Sequence, residues 1–154
     1  RKDHMTGRFA NPPHAHIPGD NDRPVEAVFA PFRIKSGSEG TAASLAASDC
    51  FRAGLQWLED GYYWESHELL EMVWANCPPN SAEKKQVQAL IQLANAGLKQ
   101  KMDRLAAVTR ILALAREAWT EAERRGACLL TSEETARFQA LMLKLGQKDE
   151  ENAL

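Results

Sequence analysis

The chain has no uninterrupted apolar run longer than a few residues, so no segment is expected to span a bilayer. Nor has it a C-x-x-C pair. Its three cysteines, Cys50, Cys77 and Cys128, are far apart and odd in number, which fits reduced, mostly buried thiols in a cytoplasm better than a disulfide framework. Sustained period-two alternation with β-branched residues is missing, which removes the usual sign of a half-buried sheet. Strong charge bias is missing too: a formal net charge of −2 and a pI near 6.1 give no general attraction to nucleic acid or anionic membrane. No continuous apolar stretch follows the first charges, so a secretory leader is not expected, and Arg1–Met5 is assigned no role. What is present is 154 residues of ordinary globular composition, 44% hydrophobic and 26% charged. That is enough chain for one domain with a real core.

Proline is almost absent after residue 40, where only Pro78 and Pro79 occur. Before it stand Pro12, Pro13, Pro18, Pro24 and Pro31, with Gly19, Gly37 and Gly40, and these forbid a long helix there. Phe9, Ile17, Val25, Val28, Phe29, Phe32 and Ile34 are too apolar for a solvated tail. Residues 1–40 are therefore expected to form an extended arm, with one turn of helix near Pro24–Phe29, lying on the main body.

From residue 41 the periodicity is helical, and the expected fold is all-α: a compact bundle of about five helices over 41–147, with a tail at 148–154. Thr41–Asp60 is read as the first helix, ending at Gly61; Tyr62–Asn76 is the second, closed by Pro78-Pro79. Asn80-x-x-Glu83 resembles a capping box that opens a third helix to about Met102. Asp103 is expected to cap a fourth helix running to Gly126, and Thr131 with Glu134 a fifth running through Gly146. No internal repeat of fixed period occurs.

Two segments carry the polar chemistry. Tyr62–Trp74 holds one histidine, three glutamates and two tryptophans. At about 100° per residue, Tyr63, Ser66, Leu69, Val73 and Trp74 fall in a sector roughly 140° wide, the expected core face. His67 and Glu71, at i and i+4, share its flank; Glu68 lies further round and Glu65 on the solvent side. On the third helix, Gln88, Gln92, Asn95 and Lys99 form a matching row. A short connection makes the two helices antiparallel neighbours and sets Glu71 level with Gln88, His67 with Gln92, and Trp64 with Asn95. The candidate polar site is thus His67, Glu68, Glu71, Gln88, Gln92 and Lys99, framed by Trp64 and Trp74. The two rows either face each other as a seam or both face outward, and the sequence leaves that choice open.

His67-Glu68-x-x-Glu71 differs from the zinc-protease H-E-x-x-H in its last ligand, and the Glu-x-x-His pair of di-metal bundles is reversed and single. A lone ion on His67 and Glu71 lacks a third ligand unless His14, His16 or a symmetry mate supplies it. No metal and no cofactor is expected. Ser66 adjoins His67, but neighbours at i and i+1 diverge on a helix, so no activated nucleophile is evident. Charge is segregated: six acids and no Lys or Arg lie from Glu59 to Glu83, and seven bases against Asp103 from Lys84 to Arg116. An acidic helix beside basic neighbours accounts for this. A nucleic-acid face is not expected, because Arg104, Arg110 and Arg116 spread round their helix.

The residues Trp64-Glu65, His67-Glu68, Leu70, Glu71 and Trp74, followed by Leu90-Ile91-Gln92-Leu93-Ala94, resemble the bacterial and archaeal family catalogued as domain of unknown function 309. Pro12-Pro13, Ile17-Pro18-Gly19 and Arg23-Pro24 with Phe29 are similar to the proline–glycine lead-in of some members. The resemblance covers about Pro12 to Trp119 and implies a compact all-α bundle with the arm wrapped on it; it names a site without a reaction. Lys99–Arg104 departs from it in lacking a glycine-bearing turn. The leading functional expectation is a non-catalytic binding or interaction module in the cytoplasm, homodimeric through exposed apolar and tryptophan surface, with its small-molecule ligand unspecified. The alternative is a small, hydrolase-like enzyme using His67 as general acid–base, with or without a metal.

Overall fold

A computed structural model describes residues 9–34 and 40–153, with side chains as far as residue 147. Arg1–Met5 and the end of the expected arm at 35–39 lie outside the described residues. The arm carries two short 3₁₀ turns, Glu26–Val28 and Ala30–Phe32, the second with Pro31 at its start. Six α-helices follow among the described residues: α1 (Ala42–Ala47), α2 (Asp49–Glu59), α3 (Tyr63–Asn76), α4 (Ala82–Lys101), α5 (Leu105–Arg124) and α6 (Ser132–Ala153). No strand occurs among the described residues, so the expected all-α fold is the observed one. None of these helices is long and apolar enough to cross a membrane.

The caps explain where the elements begin, and three differ from expectation. Thr41–Asp60 is not one helix. Ser48 takes an extended backbone (φ −67°, ψ 145°), donates its hydroxyl to the Leu45 carbonyl at 2.8 Å and accepts the Phe51 N–H at 3.2 Å. It thus ends α1 and starts α2 within one residue. At the third helix the cap is Ser81, which accepts the Lys84 N–H at 3.0 Å, while Asn80 sits just outside with φ 58°. Asp103 is likewise left-handed (φ 57°) and outside α5. Thr131 and Glu134 do form the reciprocal capping box, at 2.9 and 3.1 Å.

The C-terminal helix does not stop at Gly146 but continues to Ala153. A Cβ at Gly146 would lie 2.8 Å from Nη2 of Arg116 on α5, the far end of a flexible side chain that can give way.

Helix α4 is the centre of the bundle. It packs against α3 and against α5, with α6 on the α5 side and α2 behind α3. Val87, Ala89, Leu90, Leu93, Ala94 and Ala96 are all fully buried, so α4 is covered on two sides rather than one. Gly97 sets the α3–α4 approach, because a Cβ there would stand 2.5 Å from the Tyr63 ring. The core runs on through Phe51, Trp57, Leu58, Leu69, Leu70 and Val73, each 0–1% exposed. Every such side chain contributes about 1.5–3 kcal/mol of transfer free energy.

The arm closes this core from outside. Phe29 and Phe32 meet the Trp57 ring edge-on at 6.4 and 5.4 Å, and Phe9 meets Phe32 at 5.5 Å. Gln56 receives the Phe9 N–H at 3.0 Å and returns a bond to the Phe9 carbonyl at 2.7 Å, which ties the arm to α2.

Candidate functional site

Helix α3 sorts its side chains into three faces. Glu65, Ser66, Leu69, Leu70 and Val73 are buried. The centre of the buried face is therefore turned by a few tens of degrees from the wheel expectation. Two residues move with that turn. Trp74, expected in the core, is 38% exposed, and Glu65, expected in solvent, is fully buried.

Glu65 is buried because the arm lies on it. Its Oε2 accepts the backbone N–H of His16 at 2.8 Å, whereas Oε1 has no partner among the described residues. Burial pushes its carboxyl above the ordinary value, against the lowering effect of that bond. Around it, the His16 ring meets Trp64 edge-on at 4.9 Å and Arg23 lies 5.3 Å from the Trp64 centroid. His16 Nδ1 pairs with Asn21 Oδ1 at 3.1 Å, and Asn21 also caps the Ile17 N–H at 2.9 Å. Trp64 is thus a docking plate for the arm. The sequence did hold a signal for this junction: an arm with so many prolines makes few internal bonds, so its N–H groups need acceptors on the body.

On the next face stand His67, Glu68 and Glu71. His67 Nδ1 lies 3.4 Å from Glu68 Oε2, and Nε2 lies 3.5 Å from Glu71 Oε2. One ligand atom from each residue falls within 4.8 Å of the others. The imidazole is 21% exposed and the two carboxylates 38% and 54%, so the group is accessible from solvent. The hydrogen bond with His67 holds the Glu68 carboxyl below the usual range. Beside this group a cleft of about 280 Å³ is walled by Glu68, Glu71 and Met72 on α3 and by Glu26, Phe29 and Arg33 on the arm. An ion pair between Arg33 and Glu26 closes its outer edge.

The amide row of α4 is elsewhere. Gln88 and Gln92 open on a cleft of about 840 Å³ shared with Leu114, Arg116, Glu117 and Glu121 of α5. Asn95 donates to Gln92 at 3.5 Å within its own helix. Lys99 is half-buried near the end of α4, and among the described residues no hydrogen bond joins the His67 row to the amide row. Glu68 and Glu71 line one cleft and Gln88 and Gln92 another, with Gln88 also beside Trp74, and no hydrogen-bonded seam between the two rows is present among the described residues. The arm histidines do not complete the cluster either, since His14 Nε2 is paired with the Asp22 carbonyl at 2.8 Å and His16 is stacked on Trp64.

The nucleophiles near this face are held back. Ser66 donates its hydroxyl to the Gly54 carbonyl at 2.7 Å, in the core between α2 and α3. Burial pushes the Cys50 thiol up to about 12 and the Cys77 thiol up to about 11, so neither supplies thiolate near neutrality. All three cysteines are free, and Cys128, the exposed one, hydrogen-bonds Glu83, which also raises its thiol.

Comparison with curated proteins and with solved structures gave no match. A family model does match: residues 51–111, which take in most of α2, all of α3 and α4 and the start of α5, fit the family described as Domain of unknown function (DUF309). Through the helices that carry the His67–Glu68–Glu71 face, the chain is similar to the DUF309 family.

Proposed function

We propose that this protein is a binding module rather than a catalyst, and that its α3 face takes a divalent transition-metal ion on His67, Glu68 and Glu71. The convergence of those three ligand atoms within 4.8 Å carries the reading. In the sequence, an ion on His67 and Glu71 was one ligand short; Glu68 is the residue that makes up the set. Ideal ligand atoms around zinc stand roughly 3.3 Å apart. Two solvent-exposed carboxylates cover the remaining distance by turning about their own side-chain bonds. One imidazole with two carboxylates suits zinc or manganese better than calcium, which prefers six to eight oxygens. Positions left open by three protein ligands would be available to water or to a ligand in the adjoining cleft.

The alternative, His67 as general acid–base in a small hydrolase, is favoured by one observation: a carboxylate faces each ring nitrogen. Against it stands the state of Ser66, Cys50 and Cys77, none of which presents an activated nucleophile. Self-association belongs to the same proposal, since Trp74, Leu114 and Leu143 are large apolar side chains left exposed. Free thiols fit a reducing compartment such as the cytoplasm.

The test is calorimetric titration of the purified chain with Zn²⁺ and Mn²⁺, paired with light scattering for the oligomeric state. Saturable one-site binding that disappears in His67→Ala and in Glu71→Ala is the expected result. Absence of binding, or binding untouched by both substitutions, removes the reading.

A further inference from the structure

The exposed Trp74 marks a second site, one turn beyond Glu71 at the end of α3. It forms one wall of a pocket of about 270 Å³ whose other walls include Pro79, Ser81, Lys84, Lys85 and Arg125. Three of the lining residues are bases and none is an acid. The larger cleft between α4 and α5 differs on this point, because Lys85 and Arg116 there face Glu117 and Glu121.

Glu121 and Glu83, neither of which lines the smaller pocket, have partners of their own. Glu121 takes two bonds from Arg124, at 2.7 and 3.1 Å, and makes a longer ion pair with Arg125 Nε at 3.9 Å. Glu83 accepts from the Cys128 N–H at 3.3 Å. Arg125 is held in place by a hydrogen bond to the Asn80 carbonyl, which steadies its guanidinium at the pocket rim. Lys84 rests its ammonium 4.0 Å from the centroid of the Trp74 ring.

From this arrangement we propose that the pocket binds a nucleoside monophosphate, its base stacked on Trp74 and its phosphate held by Lys85 and Arg125. A half-exposed indole offers a flat π face, and stacking of a base on such a face is stronger than an exposed cation–π contact. An entering base therefore displaces the Lys84 ammonium from the ring and frees it to join the phosphate. The planar, doubly donating guanidinium of Arg125 matches phosphate oxygens. Pocket size limits the ligand. At about 270 Å³ it falls just under the usual small-ligand range of about 300–1,000 Å³, which suits one nucleotide better than a dinucleotide cofactor.

This site shares no lining residue with the cleft beside Glu68 and Glu71, so it stands or falls apart from the metal reading. The experiment titrates the full chain with adenosine monophosphate, adenosine and inorganic phosphate, by calorimetry and tryptophan fluorescence. The monophosphate is expected to bind at least about tenfold more tightly than either part alone, and more weakly as ionic strength rises. Trp74→Ala and Arg125→Gln are each expected to weaken it by about tenfold. Circular dichroism and thermal melting verify that both variants fold, and Lys85→Gln supplies a third, milder substitution. If phosphate alone binds as well as the nucleotide, or if Trp74→Ala leaves the affinity unchanged, the proposal is overturned.

Discussion

Glu65 and Glu71 stand on the same helix and have the same side chain, yet their surroundings are opposite. Glu65 is fully buried under the arm, with one oxygen satisfied by a backbone N–H and its carboxyl pushed up by desolvation. Glu71 is 54% exposed, faces His67 and lines an open cleft. The difference teaches that a helical wheel reports angles between residues, while the rotation of the whole wheel against the core is set by its neighbours. Here those neighbours are α2, α4 and an arm that comes from the other end of the sequence.

The most damaging way to break the comparison is to remove what the arm docks on. Trp57→Ala is expected to cost about 3–5 kcal/mol, as a fully buried aromatic that also holds Phe29 and Phe32. Chemical denaturation measures it. A loss under about 1 kcal/mol would mean the arm-covered face is not what holds α3 in register. Next comes Gly97→Ala, which drives a methyl into the Tyr63 ring and is expected to cost about 1–3 kcal/mol. Trimming the ring with Tyr63→Leu is expected to recover part of that, and a double-mutant cycle reads the coupling.

Glu65 itself comes third. Glu65→Ala is expected to cost about 1–2 kcal/mol by stranding the His16 N–H, and Glu65→Gln distinctly less, because an amide oxygen still accepts that bond. The two faces should also respond to pH with opposite sign. The Glu65 carboxyl is raised in the folded chain, so its contribution is complete below the ordinary carboxylate range and is lost as pH rises through the raised value. Melting of Glu65→Gln should therefore gain on the parent as pH increases. The Glu68 carboxyl is lowered by His67, so its contribution is present above the ordinary range and lost as pH falls through the lowered value. Parallel profiles for Glu65→Gln and the parent would contradict the burial.

The smallest expected effect is on the bare face. Glu71→Ala should change stability by no more than about 0.5 kcal/mol, as an exposed side chain outside the core. A large loss there would erase the contrast between the two glutamates.

Much of the framework was legible before any coordinates. Gly61 and Gly126 end helices in the left-handed region, Thr131 and Glu134 form their box, and the proline-rich lead-in lies on the bundle. These are local signals, readable because each cap is decided by a few adjacent residues. Asn80 and Asp103 lie just outside the helices they were expected to cap, and two further local signals differ from the structure. Ser48, between two alanine-rich turns, hid a cap in a continuous apolar pattern, and Gly146 looked like a stop where the helix runs on to Ala153.

The candidate site divides along the same line. His67 and Glu71 meet because their i, i+4 spacing on one helix brings them together, and that much is written in the chain, whereas Glu68 joins them only through the side-chain conformation the structure shows. Their separation from Gln88 and Gln92 is not, since α4 had two partners to face and turned its amides toward α5. Glu65 met His16, and Trp74 was left uncovered beside Lys84, only when distant segments packed together. The sequence by itself determined the helices, their caps and the side chains that share a face. Tertiary structure alone decided which faces were sealed from water, because burial is a property of two surfaces in contact and no single segment contains both.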